Sequence, residues 1–298
     1  MITIQVPAKL ILSGEHAVVY GAPALAVPVP KYLRVSLTPI DTPQIRYQDR
    51  IWDLSDLSRQ AGLIPHTLAL ILAQLPVQPK QGFQLDIDSH IPMGSGLGSS
   101  AALIVGLCQV VLQYYQQELS NNALWTLAKQ AEDRQHGRSS GLDIAVALTR
   151  QAVCFTQGTW QTLPQLIPTI NALPFYLLFS GQPDNTTKAC VDKAKITLEN
   201  DRSLQDEFKN TTLQLLNAIL HEPQHIATLI KHNQLLLEKI DVVPSFLREK
   251  IHALPAQAAI KICGSGALSG ERAGCLLAYA PDPSWLPLLK WPYERLIL

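Results

Sequence analysis

Residues 91–102 read Ile91-Pro92-Met93-Gly94-Ser95-Gly96-Leu97-Gly98-Ser99-Ser100-Ala101-Ala102, and this stretch with its flanks decides the fold. Upstream, Phe83, Leu85 and Ile87 alternate with Gln84, Asp86 and Asp88, the period-two pattern of a half-buried strand. Downstream, the apolar run from about Leu103 to Tyr115 is too long for an ordinary strand and predicts a helix. Glycines at alternate positions between a strand and a helix let the backbone turn tightly and aim N–H groups at an anion. The helix N-terminus adds its partial positive charge. Ser99 and Ser100 stand where a hydroxyl either caps the helix or ligates Mg²⁺; a tight turn with a serine cap is the simpler alternative. A Walker loop is excluded because no Gly-Lys-Ser/Thr follows, and Ser99 takes the third glycine position of a dinucleotide fingerprint. The Val-Ala-Ile-Lys, His-Arg-Asp and Asp-Phe-Gly signatures of protein kinases are absent. What remains is a phosphate cradle of another nucleotide-binding fold.

Around this centre the chain divides in character. Ile2–Val6 alternates like a strand that Pro7 is expected to break, and residues 23–37 give extended segments punctuated by Pro28 and Pro30. Residues 40–66 are polar with few order signals. Ser120 predicts an N-cap for a helix with Leu124, Leu127, Ala128 and Ala131 on one face, and Gly158 predicts the turn of a hairpin. Pro164, Pro168 and Pro174 mark a boundary, so the expected domains are 1–165, carrying the glycine-serine loop, and 166–298. The second begins with a strand over Phe175–Phe179. Helical segments follow near 187–200, 203–220, 224–240 and 245–253, then the buried-strand runs AAIKIC and AGCLLAYA. Strands and helices mix without regular βαβ alternation, which predicts an α+β fold.

Composition narrows the function classes. Of 298 residues 47% are hydrophobic, enough for a sizeable core, and 24 Lys+Arg balance 24 Asp+Glu. No basic excess points to nucleic acid. No apolar run approaches the length of a membrane span. Lys9 falls where a signal peptide needs its apolar region. Cys108, Cys154, Cys190, Cys263 and Cys275 are dispersed without a C-x-x-C pair, and the expectation is a soluble, cytoplasmic protein.

Two further segments carry polar residues in apolar surroundings. Residues 7–26, PAKLILSGEHAVVYGAPALA, place Lys9, Glu15 and His16 around Gly14, and buried polar groups are costly unless paired. A strand edge with ordinary charges is the alternative. Residues 131–147, AEDRQHGRSSGLDIAVA, put Glu132 near a helix end and Asp143 after a glycine-containing loop; either carboxylate alone reads equally as a cap or a solvated residue.

Taken together, PAKLILSGEHAVVYGAPAL, PMGSGLGSSAAL and KICGSGALSG resemble, in order and spacing, the three motifs of the GHMP small-molecule kinases. Gly14-Glu15-His16 followed by Ala-Val-Val-Tyr-Gly is closest to the mevalonate-phosphorylating branch. The resemblance implies a two-domain α+β fold with the active site in the inter-domain cleft and ATP and Mg²⁺ as cofactors. It implies a small-molecule alcohol acceptor, mevalonate above others, with a homodimer compatible and no nucleic-acid or membrane partner. Phosphomevalonate or another small alcohol, or a binding protein without turnover, are the alternatives. Position by position, the resemblance implies that Lys9 sits near the transferred phosphoryl group and that Asp143 is the catalytic aspartate. Gly94, Ser95, Gly96, Leu97, Gly98, Ser99 and Ser100 hold the nucleotide, Ser100 and Glu132 ligate Mg²⁺, and Glu15, His16 and Thr187 face the acceptor.

Two departures stand out. Some relatives place an arginine just upstream of the threonine, where this chain has Asp184 and Asn185. The third motif, a run of glycines in relatives, here carries Ala267, Leu268 and Ser269; Leu268 is expected to pack into the core, the alternative being that it narrows the site. His221-Glu222-Pro223-Gln224-His225 matches a zinc-protease pattern, but Pro223 interrupts the helix such a site needs.

Overall fold

The computed structural model describes residues 1–77, 79–137 and 139–298, the side chains of Gln135 and His136 apart. In chain order, β1 (Ile2–Ser13), β2 (Ala24–Ile40), β3 (Gln44–Tyr47) and β4 (Arg50–Asp53) precede α1 (Leu63–Leu72) and β5 (Gly82–Ser89). Helices α2 (Ser99–Tyr114), α3 (Asn121–His136) and α4 (Leu142–Thr149) come next, then β6 (Val153–Thr156) and β7 (Thr159–Thr162). The chain continues through α5 (Leu166–Ala172), β8 (Phe175–Phe179), α6 (Thr187–Leu198), α7 (Arg202–His221), α8 (Ile226–Lys239) and α9 (Ser245–His252). It closes with β9 (Ala259–Ile262), β10 (Cys275–Tyr279) and β11 (Tyr293–Arg295).

Two compact units interleave along the sequence. One comprises Met1–Ala8, Lys31–Ile91 and Ser99–Arg150; the other comprises Lys9–Pro30, Pro92–Gly98 and Gln151–Leu298. The expected domains, by contrast, are consecutive. Strands β1 and β2 each contribute to both units.

In the first unit the later part of β2 runs antiparallel to β5, with Val35 opposite Ile87 and Leu37 opposite Leu85. Strand β5 pairs in parallel with β3, which turns back into β4. Helix α2 packs with α1, α3 and α4, burying Ile104, Leu107, Cys108 and Val111. A Cβ on Gly106 would lie 2.7 Å from Val35 Cγ2, so a glycine is what lets α2 settle this close to the strand. Ser120 caps α3, its hydroxyl accepting from the Ala123 N–H.

In the second unit the start of β2 pairs with β6, Ala24 opposite Phe155, and β6 turns into β7 through Gly158. An antiparallel sheet in the order β11-β8-β10-β9 carries α8, which lies against β9 and β10, and α7 packs on α8. Phe208, Leu236, Ile262, Leu276 and Trp285 lie in its core. The architecture is α+β.

Three expectations change. Strand β1 runs through Pro7 to Ser13. Among the described residues it pairs with β2 and lies off the main strand order, where a proline's missing N–H is tolerated. Residues 40–66, sparse in sequence signals, hold β3, β4 and the start of α1, whose register rests on pairing with distant β5. Pro28 and Pro30 lie within the single long strand β2. As expected, the His221–His225 pattern is no continuous helix: α7 ends at His221 and Pro223–His225 form a separate 3₁₀ turn.

Candidate active site

Within the second unit, Lys9, the Gly14–His16 segment and two of the glycine motifs come together. Lys9 lies on β1, only 5% exposed, and its Nζ donates to the Gly96 carbonyl at 2.6 Å. Its backbone N–H donates to the Leu97 carbonyl at 2.9 Å, so the lysine is fastened to the glycine loop at both ends. The Ser95 hydroxyl donates to the Pro92 carbonyl at 2.6 Å and Leu97 is buried, so these two side chains shape the loop from within. Gly94, Gly96 and Gly98 all adopt positive φ, the conformation glycine reaches without strain.

Gly96 also touches the third motif. A Cβ on Gly96 would lie 2.9 Å from the Cys263 carbonyl oxygen, and one on Gly264 would lie 2.9 Å from Gly96 Cα. The two backbones meet with no room for a side chain. Leu268 lies further along, partly buried and packed against the core of the unit, as expected.

The segment after β1 turns at Gly14, where a Cβ would collide with the Pro23 carbonyl oxygen at 2.4 Å. Glu15 is 1% exposed, and its Oε1 accepts from Lys261 Nζ, itself fully buried on β9. Burial pushes the Glu15 carboxyl up, and the Lys261 ammonium pulls it back toward the charged form. Glu15 Oε2 is buried without a hydrogen-bond partner among the described residues. His16 sits at φ 60°, and its Nε2 lies 3.2 Å from the Ser265 carbonyl oxygen. Burial lowers its pKa to about 4, against the raising effect of that hydrogen bond. The ring is therefore neutral near pH 7, and Nε2 carries the proton that the carbonyl accepts.

Thr187 opens α6 and is exposed, while its neighbour Thr186 is the N-cap, its hydroxyl accepting from the Ala189 N–H. Asn185 Oδ1 accepts from the backbone N–H groups of Leu268 and Ser269, both at 3.1 Å, and so ties this loop to the third motif.

The first unit holds the remaining candidates. Ser99 and Ser100 open α2. Ser100 Oγ is buried with no hydrogen-bond partner among the described residues, which suits an oxygen ligand for a hard cation such as Mg²⁺. Glu132 is 6% exposed on α3. Asp143 lies in the first turn of α4, where the helix dipole favours a carboxylate. Trp125 of α3 joins these helices: its indole N–H donates to the Gly141 carbonyl at 2.9 Å, and Gly141, at φ 83°, caps α4.

Sequence reasoning missed Lys261 and Trp125, and noted Asn185 only as a departure from relatives. Lys261 had a detectable signal, since a lysine inside the apolar run AAIKIC is costly to bury without a partner. The roles of Asn185 and Trp125 depend on neighbours that only folding brings near.

Comparison with known proteins bears on what this arrangement serves. The GHMP kinases N terminal domain profile matches residues 63–151. Mevalonate kinase of Pyrococcus horikoshii is 30% identical over 301 residues, covering 92% of this chain and 87% of the relative. The chain belongs to the GHMP kinase family. Another relative of this GHMP kinase, mevalonate kinase of Thermococcus sibiricus, is 28% identical over 304 residues, covering 93% of this chain and 88% of that one. In fold, the GHMP kinase matches the crystal structure of Methanococcus jannaschii mevalonate kinase with a TM-score of 0.80 at 20% identity, covering 100% of this chain and 98% of that one. It matches Streptococcus pneumoniae phosphomevalonate kinase, in complex with phosphomevalonate and AMPPNP, with a TM-score of 0.78 at 21% identity, covering 99% and 100%. The fold is thus common to kinases of different acceptors. Among the described residues, no helix of this GHMP kinase is long and apolar enough to cross a membrane.

Proposed function

We propose that this GHMP kinase transfers the terminal phosphoryl group of ATP to the primary hydroxyl of mevalonate, giving 5-phosphomevalonate. The observation that carries this reading is the fastening of Lys9 to Gly96 beside the paired Glu15 and neutral His16. It joins a phosphate-type cradle to a polar acceptor segment within one compact unit. Similarity to mevalonate kinases along nearly the whole chain supports the choice of acceptor.

In this reading the N–H groups of Gly94–Gly98 and the N-terminus of α2 hold the phosphate chain. Mg²⁺, when bound, neutralises charge on the phosphates, and Ser100 and Glu132 are the residues that would hold it. Asp143 orients the acceptor hydroxyl and takes its proton. Lys9 offsets negative charge at the phosphoryl group, and Glu15 Oε2 and His16 position the acceptor, with Thr187 near its other end. Positioning and electrostatics supply most of the acceleration in phosphoryl transfer, so rigidly held groups matter more than covalent chemistry. The reaction is assigned to the cytoplasm.

Coupled ADP release at fixed Mg·ATP, with mevalonate and with phosphomevalonate in parallel, tests the proposal. Turnover with mevalonate is expected. Turnover with phosphomevalonate alone would reassign the acceptor, and none with either would leave another small alcohol as acceptor or a binding protein.

A further inference from the structure

Just beyond the altered third motif stands a cation, Arg272, on the segment that leads to the glycine loop. Gly274–Cys275 runs alongside Gly94 and Ser95: the Cys275 N–H donates to the Ser95 carbonyl at 2.9 Å. A Cβ on Gly274 would lie 2.8 Å from that oxygen and 3.1 Å from the Gly94 carbonyl oxygen. Arg272 stands two residues before Gly274. Its side chain crosses Gly181, where a Cβ would lie 2.8 Å from Arg272 Cδ, and its guanidinium pairs with Asp184. Gln182, next to Gly181, lies against the first loop glycine, since a Cβ on Gly94 would meet Gln182 Cγ at 2.5 Å. The segments on either side of the arginine therefore both touch the loop, Gly274 at Gly94 and Ser95 and Gln182 at Gly94.

Its surroundings hold it there without committing it. Asn185 fixes the third-motif loop by accepting from Leu268, Ser269 and the Ser269 hydroxyl. The Arg272 and Asp184 side chains are 50% and 56% exposed, and an ion pair so exposed is weak enough to exchange one partner for another. By contrast, Lys9 is engaged by Gly96 and Lys261 is buried against Glu15. A guanidinium presents a planar fork that takes two oxygens of a phosphate at once.

We propose that Arg272 is a phosphate-binding residue, exchanging Asp184 for oxygens of the nucleotide's β- and γ-phosphates, with Asp184 parking the guanidinium beside the loop until the nucleotide arrives. The proposal rests on reading Gly94–Gly98 as the phosphate cradle. A carboxylate on the acceptor is the competing oxyanion; the phosphate is favoured because Gly274 and Cys275, shortly after Arg272, contact Gly94 and Ser95.

Calorimetric titration with Mg·ATP and with AMP, in the absence of acceptor, tests this on the wild type, Arg272→Ala, Arg272→Lys and Asp184→Asn. Loss of a charge-assisted contact should weaken ATP binding by about ten- to a hundred-fold in Arg272→Ala, and leave AMP binding within about twofold. Arg272→Lys should recover part of the loss, and it decides the matter if Arg272→Ala fails to fold. Asp184→Asn, which frees the guanidinium, should bind ATP as tightly as the wild type or more tightly. Unchanged ATP affinity in both arginine variants, or a rise confined to the KM of the acceptor, overturns the proposal. A wild type that binds no ATP overturns the cradle itself, so the two failures are told apart.

Discussion

Gly96 and Gly264 meet backbone to backbone: each adopts positive φ, and a Cβ on Gly264 would stand 2.9 Å from Gly96 Cα. The close pass between the phosphate-type loop and the third motif is therefore made at the head of that motif, before its side chains become larger. Leu268 lies beyond the contact and against the core. Gly264→Ala should cost at least about 2 kcal/mol, from left-handed backbone strain of roughly 1–2 kcal/mol plus the collision, and should weaken ATP binding as the loop shifts. Leu268→Gly should also cost about 2 kcal/mol, through lost apolar burial and added backbone freedom, yet leave the KM for ATP unchanged. Chemical denaturation and Michaelis constants on both variants check the contrast; tighter substrate binding in Leu268→Gly would return that leucine to the site.

Asp143 tests the chemistry. Asp143→Asn keeps size and helix position and should lower turnover by at least ~10², with Mg·ATP affinity by calorimetry nearly intact. Near-normal turnover would remove Asp143 from proton transfer.

Ser100 and Glu132 test the metal. Ser100 Oγ has no hydrogen-bond partner among the described residues, so Ser100→Ala should leave the melting temperature unchanged or slightly raised. The same variant, and Glu132→Gln, should need more Mg²⁺ for half-maximal rate. A parental Mg²⁺ dependence in both variants would refute the ligand assignment.

His16 makes stability depend on pH. Its pKa is about 4 in the fold against an ordinary 6.5, so the unfolded chain binds the proton more readily between those values. Stability should fall as pH drops from about 6.5 toward 4, by roughly 3 kcal/mol at most, and this part of the pH dependence should vanish in His16→Asn. Asparagine tolerates the positive φ of this position better than most residues do. Urea unfolding at several pH values reads the difference; identical profiles would mean that His16 does not titrate as argued.

Lys261 tests the buried pair. Lys261→Met strands the Glu15 carboxylate and should cost about 3–5 kcal/mol, whereas Glu15→Gln with Lys261→Met should recover part of that loss. Mevalonate binding should stay weak in the double variant. Recovery of both stability and binding would make the pair structural only.

The sequence by itself determined the glycine-serine loop between its strand and helix, the Ser120 cap, the helices of the second half and the α+β class. Each follows from local chemistry: glycine conformational freedom, a capping hydroxyl, or an apolar period of two or 3.6. The GHMP resemblance was legible for the same reason, being carried by short contiguous motifs. Tertiary structure alone decided what pairs with those motifs. Strands β3 and β4 lie in a polar stretch because the register with β5 makes them, and β1 passes Pro7 because its ladder tolerates a missing N–H. Lys261 finds Glu15, 246 positions away in sequence, and Arg272 finds Asp184, 88 positions away. Such contacts leave no periodicity to read, because the energy that selects them, desolvation offset by a partner, exists only once distant segments have packed.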